Sequence, residues 1–306
     1  MVELKFYQSP TPDLNPCPQT IELLEEIARF VDEVTIVERA TTINLTCDEP
    51  PPHTEVTWKI DGEPIQASRL LTLEDVDQPN AGNYTCWQNG TLVKHTYLVV
   101  SEKDRSPIFS NAIQCRARTF DSAITCSWQT RGAAIFQVKY CRRVLRNPES
   151  NCSFIECSKS GTDHHCHFTV KNYSPYEEEY NPITFFVEAI SSVSHQKMQK
   201  TFYMENIVKP DPPKNITVTL NKHKKMIISW EYPCDWIKPH SYFPLRFEIE
   251  YTSKKENGTE VVEEGLSKEI KVSARRYMVR IKAKDRFLNS PWSEWSAWIN
   301  SRNVRV

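Results

Sequence analysis

Trp292 and Trp295 stand three residues apart in the run Trp292-Ser293-Glu294-Trp295-Ser296. An alternating stretch precedes them. Between Tyr277 and Asp285, Val279, Ile281 and Ala283 fall on one face of an extended chain, and Arg280, Lys282 and Lys284 fall on the other. The apolar face can pack into a core. The cationic face repeats at a spacing that could interleave with the two indoles from a neighbouring strand. That chemistry is non-covalent: each stacked cation–aromatic pair contributes roughly 0.5–2 kcal/mol, depending on desolvation. Lysine stacks less well than arginine, so a ladder with two lysines would be weaker than one built on arginine. The plainer alternative is a pair of interior tryptophans beside a solvated basic strand.

Ten cysteines in 306 residues point to an oxidising compartment. Seven Asn-x-Ser/Thr acceptors agree with it: Asn44, Asn83, Asn89, Asn151, Asn172, Asn215 and Asn257. Together they suggest a glycosylated, secreted, extracellular chain. The net charge of −1 offers no electrostatic case for nucleic acid or an anionic membrane. No apolar run approaches the length of a transmembrane helix, so membrane insertion is not expected. The start, Met1-Val2-Glu3-Leu4-Lys5-Phe6, lacks a signal-peptide core, in tension with the secreted reading. Neither G-x-G-x-x-G nor G-x-x-x-x-G-K occurs, and G-x-S-x-G and H-E-x-x-H are missing too. An enzyme is therefore the poorest class of function, and no cofactor is implied.

The elements that must hold these residues read as strands almost throughout. Residues 1–35 are the exception: Ile21, Leu24, Ile27, Phe30, Val31 and Val34 recur at helical spacing within Gln19–Val34. From about Val34 the pattern becomes β. Ile43 and Leu45 lead into Cys47, and Val56 and Trp58 follow a Pro50-Pro51-Pro52 loop. Ser101–Ser106 is polar and reads as a linker. Cys115 and Cys126-Ser127-Trp128 fit a hairpin bridged near its ends beside a core tryptophan. Cys141, Cys152, Cys157 and Cys166 form an even set whose pairing the sequence leaves open. His164, His165 and His167 flank Cys166, and a disulfide beside surface histidines is expected there rather than zinc. Ile183, Phe185, Val187 and Ala189 alternate as a buried strand. Pro210, Pro212 and Pro213 fix φ and remove backbone donors, so Ile207–Asn215 is a stiff elbow. Met226–Trp230 begins the last domain's core.

The Trp292–Ser296 motif after a basic alternating strand resembles the signature of class I cytokine receptors, in which a Trp/cation ladder is the implied arrangement. Cys47, Trp58 eleven residues on, and Gly82-x-Tyr84-x-Cys86 resemble an immunoglobulin domain. That likeness implies a Cys47–Cys86 bridge with Trp58 packed on it and Tyr84 at a tyrosine corner. Cys115 with Cys126-x-Trp128 resembles the first cysteine pair of the receptor homology region, and Cys152 or Cys157 with Cys166 its second. The implied fold is all-β: three tandem β-sandwiches, one immunoglobulin-like and two fibronectin type III, with an atypical N-terminal segment. The boundaries fall at 1–35 (extension), 36–101 (immunoglobulin-like), 102–208 (fibronectin type III with the cysteine pairs) and 209–306 (fibronectin type III with the motif).

Ser229-Trp230-Glu231-Tyr232-Pro233, Pro239–Phe243 and Ala283–Phe287 narrow the resemblance to a secreted, receptor-shaped member of the family. Such a member pairs with a four-helix-bundle cytokine alpha subunit at the elbow and engages a cell-surface cytokine receptor. Carried over by position, the partner contacts would be Phe120, Glu178, Tyr242, Asp285 and Phe287, with Asp285 able to take an arginine from the partner. Tyr242-Phe243 and Phe287-Leu288 are apolar groups in loops, a pattern suited to binding hot spots. The family's partner-linking cysteine falls at Asn172–Ser174, where no thiol stands; Cys17, Cys141, Cys152 and Cys234 are the candidate substitutes. The alternative is the ligand-binding ectodomain of a membrane-tethered receptor alpha chain, which the lack of an apolar tail before Val306 disfavours.

Overall fold

A computed structural model describes residues 31–47, 55–101, 107–132, 134–144, 147–171, 173–221 and 223–303. The architecture is almost entirely β: three pairs of sheets in tandem. In the first, a five-stranded sheet runs Glu33–Glu38, Thr91–Ser101, Gly82–Gln88, Thr57–Ile60 and Glu63–Gln66 in spatial order, and it faces an antiparallel pair of Ile43–Thr46 and Leu70–Leu73. Cys47 and Cys86 are joined through this core beside the fully buried Trp58. Tyr84 donates its hydroxyl to the Asn80 carbonyl at 2.8 Å, and burial pushes its pKa up to about 12.

The helical spacing expected up to Val34 gives way to a strand that begins at Glu33 and runs parallel to Thr91–Ser101. Glu33-Val34-Thr35-Ile36-Val37-Glu38 is rich in β-branched residues, which suit a pleated surface better than a helix. The rest of the Gln19–Val34 expectation lies outside the described residues, as do the Pro50-Pro51-Pro52 loop and most of the Ser101–Ser106 linker.

The second pair comprises Asn147–Phe154, Ile135–Val144, Ile183–Ile190 and His195–Phe202 in one sheet. Cys157–Ser160, Asp163–Phe168, Ile124–Gln129 and Gln114–Ala117 form the other. Three disulfides each join directly opposed strand residues: Cys115–Cys126, Cys141–Cys152 and Cys157–Cys166. Ile183, Phe185, Val187 and Ala189 are all buried. His164 departs from the expected surface position. It is buried, its ring stacks on Trp128 at 5.1 Å, and it meets the Thr130 hydroxyl at 3.0 Å. The alternation of Asp163–Phe168 requires this, because His164, Cys166 and Phe168 share the inward face.

The third pair sets Ser267–Lys271, Lys225–Glu231, Lys214–Leu220 and Arg302–Asn303 against Asn257–Val262, Leu245–Thr252, Met278–Asp285 and Ile299–Asn300. Its core centres on Trp230, Phe247, Ile249, Val279 and Ile281.

Two joints connect the pairs. At the upper one Val31, Val99 and Ile190 pack together, and Val100 N–H donates to the Ser192 carbonyl at 3.0 Å. At the lower one the helical turn Met204–Ile207 leads into the proline-rich segment, and Lys209 N–H donates to the Ala117 carbonyl at 2.8 Å. The buried side chains of the second and third pairs form one continuous cluster across that joint.

Candidate functional site

The basic strand Met278–Asp285 and the segment that follows it build a stack of alternating charges and rings. Lys284 lies 5.5 Å from the Trp292 ring and Lys282 4.8 Å from the same ring. Lys282 also covers Trp295 at 4.4 Å. Arg280 sits between Trp295 at 4.6 Å and Trp298 at 4.5 Å. Arg246, opposite Lys284 on the adjacent strand, reaches Trp292 at 5.7 Å. Trp298 and Arg246 were not singled out from the sequence. The three-residue repeat of Trp292, Trp295 and Trp298 is the signal that could have located the third ring.

The serines explain how this segment stays beside the strand without pairing as one. Ser293 N–H donates to the Ala283 carbonyl at 2.7 Å, and Ala283 N–H donates to Ser293 Oγ at 2.9 Å. Ser296 repeats the exchange with Ile281 at 2.9 and 3.0 Å. Each hydroxyl takes the place of a backbone carbonyl, so the strand's donors stay satisfied. Carboxylates close the outer side of the stack: Glu250 pairs with Arg280, and Glu248 pairs with Lys282 at 3.1 Å.

Glu294 points the other way and pairs with Lys209 in the elbow, which holds its carboxyl below the usual range. Arg116 donates to the Lys209 carbonyl at 2.9 Å and to Asp211 at 2.6 Å. Arg118 holds Asp211 as well and reaches Asp235 at 3.2 Å. Each arginine's planar fork is thus shared among several acceptors, Arg116 reaching the Pro210 carbonyl at 3.3 Å as well. This clamp escaped sequence reasoning, because nothing in the local pattern pairs residues almost a hundred positions apart.

Of the five residues expected to face a partner, three are on the surface. Tyr242 is 54% exposed and Phe287 71% exposed, and Glu178 is exposed and accepts the Tyr180 hydroxyl. The other two turn inward, and the expectation is corrected for both. Phe120 is only 6% exposed, wedged between Trp236 at 5.9 Å and Phe243 at 5.6 Å. It anchors the elbow. Asp285 is 3% exposed, and its Oδ1 accepts the backbone N–H groups of Phe287 and Leu288 at 2.8 and 2.9 Å. It shapes the Phe287 loop and has no open face for an arginine; burial pushes its carboxyl pKa up.

The loops around Tyr242 and Phe287 meet, because Arg286 N–H donates to the Pro244 carbonyl at 3.0 Å. Tyr176, 54% exposed, packs against Tyr242 at 5.3 Å and donates its hydroxyl to the Lys238 carbonyl at 3.2 Å. Tyr180 is 69% exposed. The lower joint therefore presents the exposed pair Tyr176 and Tyr242 beside a buried wedge of Phe120, Trp236 and Phe243, with Tyr180 and Phe287 exposed in the same loops. Tyr176 and Tyr180 were missed for want of an apolar pattern around them.

Among the acceptor asparagines, Asn44, Asn89, Asn215 and Asn257 are exposed and Asn83 is half-buried; the side chain of Asn151 and all of Asn172 lie outside what is described. Cys141 and Cys152 bond to each other and Cys234 is disulfide-bonded, so none of the three is a free thiol for a partner. Cys17 lies outside the described residues. No helix among the described residues is long and apolar enough to cross a membrane.

Residues 110–191 match the protein-family profile of the cytokine interleukin-12p40 C-terminus. Over 279 residues the chain is 28% identical to interleukin-12 subunit beta of Homo sapiens, and the same figures hold for that of Macaca mulatta; each match spans 83% of this chain and 84% of the relative. Interleukin-12 subunit beta of Lama glama is 28% identical over 284 residues, 84% of this chain and 86% of the relative. A cytokine subunit is the class to which these similarities point.

Proposed function

We propose that this chain, similar to interleukin-12 subunit beta over 83% of its length, is a secreted, receptor-shaped cytokine subunit that holds a four-helix-bundle alpha subunit at its lower elbow. We read residues 36–101 as an immunoglobulin-like module that meets a cell-surface receptor. Residues 102–208 and 209–306 are read as fibronectin type III modules that form the elbow.

The observation that carries this reading is the aromatic corner. Tyr176, Tyr180, Tyr242 and Phe287 stand open at a joint whose interior is packed and clamped. Large aromatic groups left exposed on a rigid support suit a protein–protein contact, since little ordering entropy remains to be lost on binding. Glu178 adds a charge at the rim, where it favours recognition and encounter more than affinity.

Co-expression with a four-helix cytokine chain tests the reading. A heterodimer is expected in the medium. Phe287→Ala and Tyr242→Ala should each weaken it by about 1–4 kcal/mol, as hot-spot truncations do. Unchanged affinity in both variants would place the contact elsewhere.

A further inference from the structure

Tyr180 follows Glu177, Glu178 and Glu179 directly, and no lysine or arginine occurs between Lys171 and Lys197. The described residues from Tyr173 to Pro182 contain no strand or helix. Their ring and hydroxyl contacts separate the two tyrosines of the run. The Tyr176 hydroxyl is engaged with the Lys238 carbonyl and its ring packs on Tyr242 and Phe243. Tyr180 is 69% exposed, and its hydroxyl donates to the exposed Glu178 carboxylate. Glu179 ties the segment down at one point by accepting the Met204 N–H at 2.7 Å, which leaves the Tyr180 ring beyond the tether.

We propose that Tyr180 is a tyrosine-sulfation site, modified as the chain passes through the secretory pathway. A transferase that holds a nucleotide phosphosulfate must line its cleft with cations. A phenol in an acidic run that carries no lysine or arginine between Lys171 and Lys197 is drawn to such a cleft. The phenol oxygen attacks the donor's sulfur; the new O–S bond forms as the phosphosulfate S–O bond breaks. The nucleotide bisphosphate departs with the electron pair, the phenol proton passes to a base of the transferase, and no oxidation state changes. The product is a permanently ionised ester beside Glu177 and Glu178. The aromatic corner thereby gains a strongly anionic edge suited to arginine or lysine on a partner.

This rests on the secretory reading above, and one experiment separates the two. The full chain is expressed without a partner in a cell line that also secretes a control peptide known to be sulfated, and the protein in the medium is mapped by high-resolution mass spectrometry. The expected result is one sulfuryl group on the Tyr180 peptide, resistant to phosphatase and abolished by chlorate or by Tyr180→Phe. Glu177→Gln combined with Glu178→Gln should lower its occupancy several-fold while the tyrosine remains. A bare Tyr180 beside a sulfated control, a phosphate in its place, or the group on Tyr176 would overturn this assignment alone. Retention of the chain inside the cell would overturn the secretory reading and this one with it.

Discussion

Phe120 and Phe243 stack across the lower elbow with ring centroids 5.6 Å apart, one ring from each side of the proline-rich segment. Both are buried, so the joint behaves as a core and not as a loose linker. Replacing Phe120 by alanine should cost about 3–5 kcal/mol in chemical denaturation, as for other buried phenylalanines. Small-angle scattering should show a wider range of elbow angles. A loss below about 1 kcal/mol, the scale of surface changes, would mean that the wedge does not hold the joint.

Asp285 offers a sharper contrast. Both of its accepted hydrogen bonds go to Oδ1, an atom that Asp285→Asn retains while removing the buried charge. Stability at neutral pH should hold or rise in that variant, whereas Asp285→Ala should lose about 1–3 kcal/mol by stranding two partly buried donors. The sign of the pH effect follows from the raised pKa. The folded state binds the proton more tightly than the unfolded chain, so this residue's contribution falls as pH rises from the ordinary aspartate value to the raised one. Asp285→Asn should flatten that part of the stability–pH curve; an unchanged slope would count against it.

His164 works in the opposite sense. Burial lowers its pKa, with Lys159 adding to the shift. The unfolded chain therefore takes up a proton that the folded one resists, and stability should drop as pH falls below about 6.5, the ordinary histidine value. His164→Phe keeps a ring against Trp128 and should remove this drop between the ordinary and lowered values. Equal pH profiles for the two proteins would sink the prediction.

In the stack, Trp295 contacts two cations, Lys282 and Arg280, while Trp298 contacts Arg280 and is partly exposed. Trp295→Ala should therefore cost more than Trp298→Ala: about 1–4 kcal/mol against about 0.5–2, from roughly 0.5–2 per pair. Ser296→Ala should cost about 1–3 kcal/mol by leaving the Ile281 N–H without its acceptor. Thermal denaturation of the three variants orders them.

What the sequence disclosed followed from periodicity and spacing. Strand alternation in Ile183–Ile190 and Met278–Asp285 is a local property, and so is the eleven-residue step from Cys115 to Cys126. What it concealed was long-range or directional. Asp211 could not be matched to Arg116 and Arg118 from the chain alone. Phe120 and Asp285 were expected as contact residues by position in the resemblance; only the packing of Trp236 and Phe243, and the donors of Phe287 and Leu288, reveal that they face inward. His164 sat in the same alternation as Cys166, a local clue that the cluster of three histidines obscured.

The buried cluster that runs unbroken from Ile113 through Val208 to Ala283 has a consequence for how the molecule melts. Its lower two-thirds cannot come apart piecemeal, because opening either sandwich strips the other of neighbours it already counts as interior. A calorimeter should record that portion as a single transition, and the first sandwich, joined to it among the described residues through the small apolar cluster of Val31, Val99 and Ile190, as a separate one.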